Sequence, residues 1–98
     1  MGTVKVRYVH QLVQITGRSE ESLQLNTPAT VRDLLAALIE RYGVPFRREI
    51  ELESRELGEK SAFYLVFVDG KKIPEAQMDR PLIADQSTVS FLPLLGGG

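Results

Sequence analysis

Side chains that could carry out covalent chemistry are scarce in this sequence. Its 98 residues include no cysteine and a single histidine, His10. Without thiols the chain forms no disulfides and no thiolate metal sites. One histidine provides neither a metal-binding cluster nor a pair for acid–base catalysis. The sequence therefore predicts a chain that catalyses little by itself and binds no metal or other cofactor.

The remaining candidate for chemistry is the C-terminal stretch LPLLGGG, which contains Leu92, Pro93, Leu94, Leu95, Gly96, Gly97 and Gly98. Glycines have no side chain to pack and lose more conformational freedom on ordering than any other residue. We predict a folded domain over residues 1–93 and a flexible tail over 94–98. Two interpretations of that tail stay open at this point, a frayed end without function and the part of the chain that acts.

Length and charge exclude several classes of protein. The length fits a single domain, and the formal net charge is −1, with both signs mixed along the chain. This balance gives no support for binding to nucleic acid or to a membrane surface. No apolar run is long enough to cross a bilayer, and the N-terminus does not have the pattern of a signal peptide. We therefore expect a cytoplasmic protein with no nucleic-acid and no membrane partner.

Alternating apolar residues predict two strands in the first part of the chain. Residues 3–9 place Val4, Val6 and Tyr8 on one face, and residues 22–26 place two leucines on one face. Residues 11–21 between them are predicted to form a longish loop with one turn that packs inward. Together these segments predict a hairpin.

A helix is predicted after the second strand. Thr30 is a favourable N-cap, and Asp33 three residues later forms a short version of a capping box. Gly43 followed by Pro45 is a typical helix end. The apolar stripe that would face a sheet comprises Val31, Leu34, Leu35, Leu38, Ile39 and Tyr42.

The second half of the chain is predicted to contain three more strands. Residues 46–61 are rich in charge and predict a short helix or turn and then a solvated loop; their glutamates fit a solvated face better than a metal site. Residues 62–68 are apolar on both faces, which indicates an interior strand or an outer face covered by a partner. Asp69-Gly70 predicts a tight hairpin turn. The last strand, residues 88–92, places Val89 and Phe91 inward.

The order strand, strand, helix, strand, strand, strand predicts an α+β fold. We expect the β-grasp arrangement, a small mixed sheet with one main helix across one face. In this arrangement the first and last strands lie side by side in the middle of the sheet.

Three stretches resemble the ubiquitin-like sulfur carriers, and most closely the small subunit of molybdopterin synthase. They are LVQITGRSEESLQL followed by PATVRDLLAALIERYG, then FYLVFVDGKKI, and finally PLIADQSTVSFLPLLGGG. The resemblance covers nearly the whole chain except residues 46–61. Three features depart from the family: a third glycine, the bulky pair Leu94-Leu95, and a turn at residues 85–87 that lacks glycine.

The resemblance implies a chemical role for the carboxylate of Gly98. In such carriers an adenylating enzyme of the ubiquitin-activating type activates this carboxylate with ATP, and sulfur then replaces AMP to give a thiocarboxylate. A second enzyme, such as the large subunit of a synthase, accepts the sulfur. Residues 94–97 would enter the active sites of both partners, and Leu92 and Pro93 would belong to the partner-binding surface.

Several alternatives remain at the level of sequence. The sulfur pathway could be that of molybdopterin, our first choice, or of thiamine, tRNA thiolation or another product. The same activated end could instead modify lysines, as ubiquitin does, or the tail could be inert on a binding domain. Either Gly98 or Gly97 could be the mature reactive end.

Overall fold

The computed structural model describes residues 1–52 and 64–93. Residues 53–63 and the predicted tail at 94–98 lie outside the described residues. The helices and strands are β1 (Gly2–Arg7), α1 (Gln11–Thr16), β2 (Glu20–Leu25), α2 (Val31–Tyr42), α3 (Val44–Arg47), β3 (Tyr64–Val68), β4 (Lys71–Lys72) and β5 (Thr88–Pro93). A π-helical turn follows α3 at Arg48–Leu52, and a 3₁₀ turn lies at Glu75–Gln77. Within the described ranges, no helix has the length and apolar character needed to span a membrane.

The described strands form one five-stranded sheet in the order β2-β1-β5-β3-β4. The first and last strands, β1 and β5, are parallel neighbours in the centre, and the other pairs are antiparallel. The predicted α+β arrangement, with these two strands in the middle and a helix packed on one face, is confirmed.

Helix α2 begins and ends where the sequence predicts. The Thr30 hydroxyl accepts a hydrogen bond from the backbone N–H of Asp33 at 2.9 Å, and the Asp33 carboxylate accepts one from the N–H of Thr30 at 3.1 Å. The capping box is therefore complete, although aspartate is shorter than the usual glutamate. At the other end, Gly43 has φ 80° and its N–H donates to Ile39 at 2.7 Å.

The core lies between α2 and one face of the sheet, which we call the inner face. Alternate strand residues point into it, as the period of two requires. The largest side chains with almost no exposure are Phe46, Phe91, Leu12, Leu34, Leu38 and Ile83. Three of these, Leu34, Leu38 and Phe91, come from stripes that the sequence predicts as inward-facing.

Two predictions in the first hairpin were wrong in detail. The segment predicted as a loop over residues 11–21 contains α1, and β2 begins at Glu20 rather than at Ser22. Glu20 and Glu21 extend the strand because they pair with Arg7 and Val6 of β1. The alternation then places the Glu21 carboxylate inside, where it is 8% exposed as a residue.

The segment directly after Gly43 is helical, although it is rich in charged residues. The prediction of a short helix or turn is confirmed by α3 and the π-helical turn, whereas most of the predicted solvated loop lies outside the described residues. Phe46 is fully buried, because it fills the space beside Tyr8 and Phe91 with ring centroids at 6.4 and 6.5 Å. Aromatic pairs prefer such edge-to-face arrangements.

The predicted hairpin turn joins β3 to β4. Asp69 and Gly70 have φ 51° and 85°, which are the positive values of a type I′ turn. The turn before β5 also needs a positive φ, and there Gln86 adopts φ 72° without the help of glycine. The departure noted in the sequence is therefore accommodated by a residue that rarely adopts this conformation.

Candidate functional site

Strand β5 leads directly to the predicted tail. Its alternation places Val89 and Phe91 in the core and leaves Leu92 41% exposed. Pro93 is the last residue of the strand and lies opposite Tyr64 of β3. This exposure is compatible with the predicted place of Leu92 in a partner-binding surface. The predicted site residues Leu94, Leu95, Gly96, Gly97 and Gly98 lie outside the described residues.

The face of the sheet opposite α2, which we call the outer face, carries an apolar patch at the root of the tail. Leu65 and Phe67 are partly buried, but they are not among the partly buried side chains that pack against the core. Leu65 lies directly opposite Leu92, and Phe67 lies two pairs along the same two strands, opposite Ser90. We call Leu65, Phe67 and Leu92 the outer patch.

A shallow groove of about 400 Å³ crosses the outer face. It is lined on one side by Arg7 and Glu20 and on the other by Phe67 and Leu92, with Ser90 between them. The groove therefore includes two of the three outer-patch residues and reaches the strand from which the tail leaves. A surface of this shape can hold a protruding apolar side chain of another protein.

Basic side chains border the outer patch. Lys5 and Arg7 of β1 and Lys72 of β4 are exposed and point to the outer face, since Lys72 pairs with Phe67 and both β1 residues alternate with buried valines. We call these three residues the cationic edge. The outward-facing residues of the described strands contain one acidic side chain, Glu20, which lies 3.9 Å from Arg7.

An aromatic cluster lies on the inner side of β5, on the face of the sheet opposite the outer patch. The Phe91 and Tyr8 rings are stacked with centroids 6.3 Å apart and planes at 4°. The Tyr8 hydroxyl donates to Glu21, which also accepts a hydrogen bond from Tyr42 at 2.5 Å. Burial, followed by the hydrogen bond to Glu21, raises the pKa of both tyrosines. Both hydroxyls therefore keep their protons at neutral pH and remain donors.

Tyr64 connects the root of the tail to the segment after α3. It is buried opposite Pro93, and its hydroxyl donates to Glu49 in the π-helical turn at 2.6 Å. Burial and this bond raise the pKa of Tyr64. The sequence predicts Glu49 in a solvated segment, and the structure instead gives it a hydrogen bond that fixes the neighbouring strand.

Sequence reasoning missed the cationic edge, Glu21 and Glu49. The alternation of residues 3–9 already places Lys5 and Arg7 on the face away from the core, which was a usable signal. Lys72 could not be added to them, because its position depends on how β4 pairs with β3. No group of acidic or histidine side chains within residues 1–52 and 64–93 has an arrangement that could hold a metal ion.

Comparison with known proteins identifies relatives in sequence and in structure. The model of the ThiS family matches residues 6–98. No curated protein sequence matches the chain significantly.

Three solved structures represent the likeness in fold. A putative molybdopterin converting factor, subunit 1, from Pyrococcus furiosus has a TM-score of 0.74 at 24% identity, covering 97% of this chain and 100% of that one. Small archaeal modifier protein 1 (SAMP1) from Methanosarcina acetivorans has a TM-score of 0.71 at 22% identity, covering 100% and 98%. Urm1 from Trypanosoma brucei has a TM-score of 0.67 at 18% identity, covering 99% and 96%. At these identities the likeness establishes a common fold, the predicted β-grasp.

Proposed function

The chain belongs to the ThiS family, and from that premise we propose that it is a sulfur carrier whose reactive group is the carboxylate of Gly98. The observation that carries the proposal is the extent of the family match, which runs through the whole glycine tail to residue 98. The exposed apolar surface at the root of that tail supports it, because a carrier must be held by its partners while its end reacts.

The chemistry requires a partner that activates the carboxylate. A terminal carboxyl group has a pKa of about 3.3–3.7, so it is an anion and a poor electrophile at neutral pH. In the first step a carboxylate oxygen attacks the α-phosphorus of ATP and pyrophosphate leaves, giving an acyl adenylate. In the second step hydrosulfide, HS⁻, attacks the acyl carbon and AMP leaves, which yields the thiocarboxylate and releases a proton. ATP thus belongs to an adenylating enzyme of the ubiquitin-activating type.

The composition of the tail suits this use. Residues 94–98 span at most about 16–18 Å when extended, which is enough to enter an active site while the folded domain stays outside. Glycine has no Cβ, so the backbone of Gly96, Gly97 and Gly98 can pass through a narrow channel. Leu94 and Leu95 follow Leu92 and Pro93 in the sequence. They would therefore bring apolar side chains to the entrance of a partner's active site.

For the pathway, we propose molybdopterin biosynthesis. The resemblance of the three sequence stretches to the small subunit of molybdopterin synthase favours it, and the Pyrococcus furiosus neighbour is described as a putative molybdopterin converting factor subunit. The sulfur acceptor would then be the large subunit of molybdopterin synthase. Thiamine biosynthesis and tRNA thiolation are the competing pathways, and they use the same carrier chemistry.

A second candidate function is the modification of other proteins. The neighbour from Methanosarcina acetivorans is described as a small archaeal modifier protein. In this case a lysine amine attacks the activated Gly98, and AMP leaves as an isopeptide bond forms. The folded domain would serve equally well for both reactions, so they must be separated by experiment.

Mass spectrometry of the protein purified from its native host tests the proposal. The carrier predicts a species in which one oxygen at the C-terminal glycine is replaced by sulfur, and a variant lacking Gly96, Gly97 and Gly98 should not form it. The matched control is Arg80→Ala, an exposed substitution away from the tail, which should leave the species unchanged. Conjugates with lysine side chains would favour the modifier. If neither product forms and deletion of Gly98 has no phenotype, the proposal is wrong.

The pathway needs a separate test. Thiocarboxylated protein should convert the sulfur-free pterin precursor into molybdopterin when it is mixed with the synthase large subunit of the same host. Sulfur transfer to a thiamine or tRNA system in its place would exclude the molybdopterin pathway and leave the carrier function standing. Peptide analysis of the same sample also shows whether Gly98 or Gly97 is the reactive end.

A further inference from the structure

Among residues 1–52 and 64–93, the last three residues of β5 have a strand neighbour on one side only. The pairing of β5 with β1 ends at Ser90, whereas its pairing with β3 continues to Pro93, which lies opposite Tyr64. Pro93 is the root from which the predicted tail leaves. The position of this root therefore depends on the first residues of β3.

We propose that Glu49 and Tyr64 are positioning residues for the reaction of the tail. Their hydrogen bond fixes the first residue of β3, and through it the root of the tail and the place that the carboxylate of Gly98 reaches. The inference rests on the proposed function, because that function supplies the adenylating enzyme. It adds two residues, both outside the outer patch, on which the rate of adenylation depends.

The hydrogen-bond pattern between β3 and β5 leaves their last pair without a backbone bond. At the other end of the two strands, the N–H of Asp69 donates to the C=O of Thr88 at 2.8 Å. Antiparallel pairs alternate between hydrogen-bonded and non-hydrogen-bonded, so the pair of Tyr64 and Pro93, five positions along, is non-hydrogen-bonded. Proline also has no N–H to donate. Contacts of side chains must therefore fix this end of the two strands.

Tyr64 makes such a contact with the segment after α3. The residue is 5% exposed, and its hydroxyl donates to the Glu49 carboxylate at 2.6 Å. This distance lies within the range of about 2.5–2.7 Å for a hydroxyl that donates to a carboxylate, which is the stronger class of hydrogen bond. The bond thus joins the first residue of β3 to an earlier part of the chain.

Glu49 is itself held in place by its neighbours in the sequence. Phe46 is fully buried in the aromatic cluster, and Ile50 is partly buried and packs against the core. These two residues flank Glu49, so the segment that carries its carboxylate is fixed to the core. The π-helical turn Arg48–Leu52 contains Glu49, and such turns are rare and occur frequently at functional sites. Glu49 therefore provides a fixed point for Tyr64.

The reaction is sensitive to the position of the root because the tail is short. Residues 94–98 span at most about 16–18 Å, so a tail that is extended in a channel passes any displacement of Pro93 on to the carboxylate of Gly98. Reacting atoms must come within about 3–3.5 Å of each other, and a misplacement of about 1 Å can lower a rate about 10²-fold. Loss of the bond between Glu49 and Tyr64 should therefore lower kcat for adenylation and leave KM, which reflects docking, nearly unchanged.

ATP–pyrophosphate exchange catalysed by the adenylating enzyme of the same host tests the proposal, with the full chain as the varied substrate. Tyr64→Phe removes the donor and Glu49→Ala removes the acceptor, so each should lower kcat at least about fivefold and leave KM within about twofold. Glu49→Gln keeps an acceptor oxygen and should restore kcat to at least about half of its original value. The double variant Tyr64→Phe/Glu49→Ala should be no slower than the slower single variant, because both changes remove the same bond.

The matched control is Tyr42→Phe. It also removes a tyrosine hydroxyl that donates to a carboxylate, but its partner is Glu21 of β2, which lies two strands away from β5. Urea unfolding should show that Tyr42→Phe and Tyr64→Phe both lose stability and are both folded under the conditions of the exchange assay. Only Tyr64→Phe should lower kcat.

Each outcome separates the inference from the proposed function. If the unmodified chain supports no exchange, the proposed function fails and the positioning role fails with it. If exchange occurs and Tyr64→Phe and Glu49→Ala leave kcat unchanged, the proposed function stands and the inference is overturned. An equal fall of kcat in Tyr42→Phe would also overturn it, because the rate would then follow stability rather than the position of the tail.

Discussion

The inner and outer faces of the sheet are built by the same strands and have opposite roles. Along β5, Phe91 is 1% exposed and packs against Tyr8, whereas the next residue, Leu92, is 41% exposed. The inner face carries the aromatic cluster and a buried carboxylate, and the outer face carries the outer patch and the cationic edge. One strand thus packs into the core on one side and presents a partly exposed surface on the other.

This difference shows where stability and binding can be changed independently. Removal of an inner side chain opens a cavity or leaves a buried polar group without a hydrogen-bond partner, and either effect lowers the free energy of unfolding. Removal of an outer side chain changes an already solvated surface, so its main effect should be on association. The following predictions test that separation, beginning with the largest expected effect.

Phe91→Ala should lower the free energy of unfolding by about 3–5 kcal/mol, because it removes a fully buried aromatic ring from the centre of the cluster. Urea unfolding measures the change, and the slope with denaturant should stay close to that of the unmodified protein. A loss below about 1 kcal/mol would show that the inner face is not the main source of stability.

Glu21→Ala should lower the free energy of unfolding by about 1–3 kcal/mol, since the buried Tyr8 hydroxyl loses its acceptor. Arg18 and Arg41, whose nitrogens lie 3.6 and 3.7 Å from the Glu21 carboxylate, also lose their partner. The control is Glu20→Ala, which removes the adjacent, outward-facing carboxylate and should change stability by at most about 0.5 kcal/mol. Equal effects in thermal or urea unfolding would remove the distinction between the faces.

Alkaline pH should destabilise the protein through Tyr8. Its pKa is raised above the ordinary value of 10.0 by burial and by the bond to Glu21. Above about pH 10 the unfolded chain loses this proton while the folded chain keeps it, so the free energy of unfolding falls by about 1.4 kcal/mol per pH unit. Below that pH the contribution is fully present. Tyr8→Phe should reduce the slope by this amount, and urea unfolding of both proteins between pH 9 and 11 measures it; identical slopes would contradict the prediction.

Leu92→Ala should change stability least, by about 1 kcal/mol or less, because much of the side chain is already exposed. The same variant should raise the KM for this chain severalfold in ATP–pyrophosphate exchange catalysed by the adenylating enzyme of the same host, since Leu92 lies in the outer patch. Comparison with Phe91→Ala, one residue earlier, shows whether the two faces separate stability from docking. A large loss of stability with unchanged KM would reverse their assigned roles.

Local signals made much of the fold predictable. The caps of α2 and the Asp69-Gly70 turn depend on residues a few positions apart, so the sequence alone indicates them. The alternation of β5 likewise predicts that Val89 and Phe91 are buried. The structure confirms each of these.

The rest of the candidate site depends on pairings between distant segments. Glu21 lies inside because β2 begins two residues earlier than predicted and brings its carboxylate to Tyr8 and Tyr42, and no local rule places a charged residue there. The row that joins Arg7, Phe67 and Lys72 crosses four strands, and its existence depends on register. Phe46 is buried by rings from other parts of the chain. Sequence patterns could not supply these contacts.

The central pairing of β1 with β5 also determines how the molecule acquires its structure. The β1–β2 and β3–β4 hairpins join neighbouring segments and can form within microseconds, but an isolated hairpin is marginal in water. They become one sheet only when β5 is inserted between them, which closes a loop of nearly the whole chain and slows folding. Amide hydrogens of β5 should therefore exchange only when the entire protein unfolds, while those of the edge strands exchange through smaller openings.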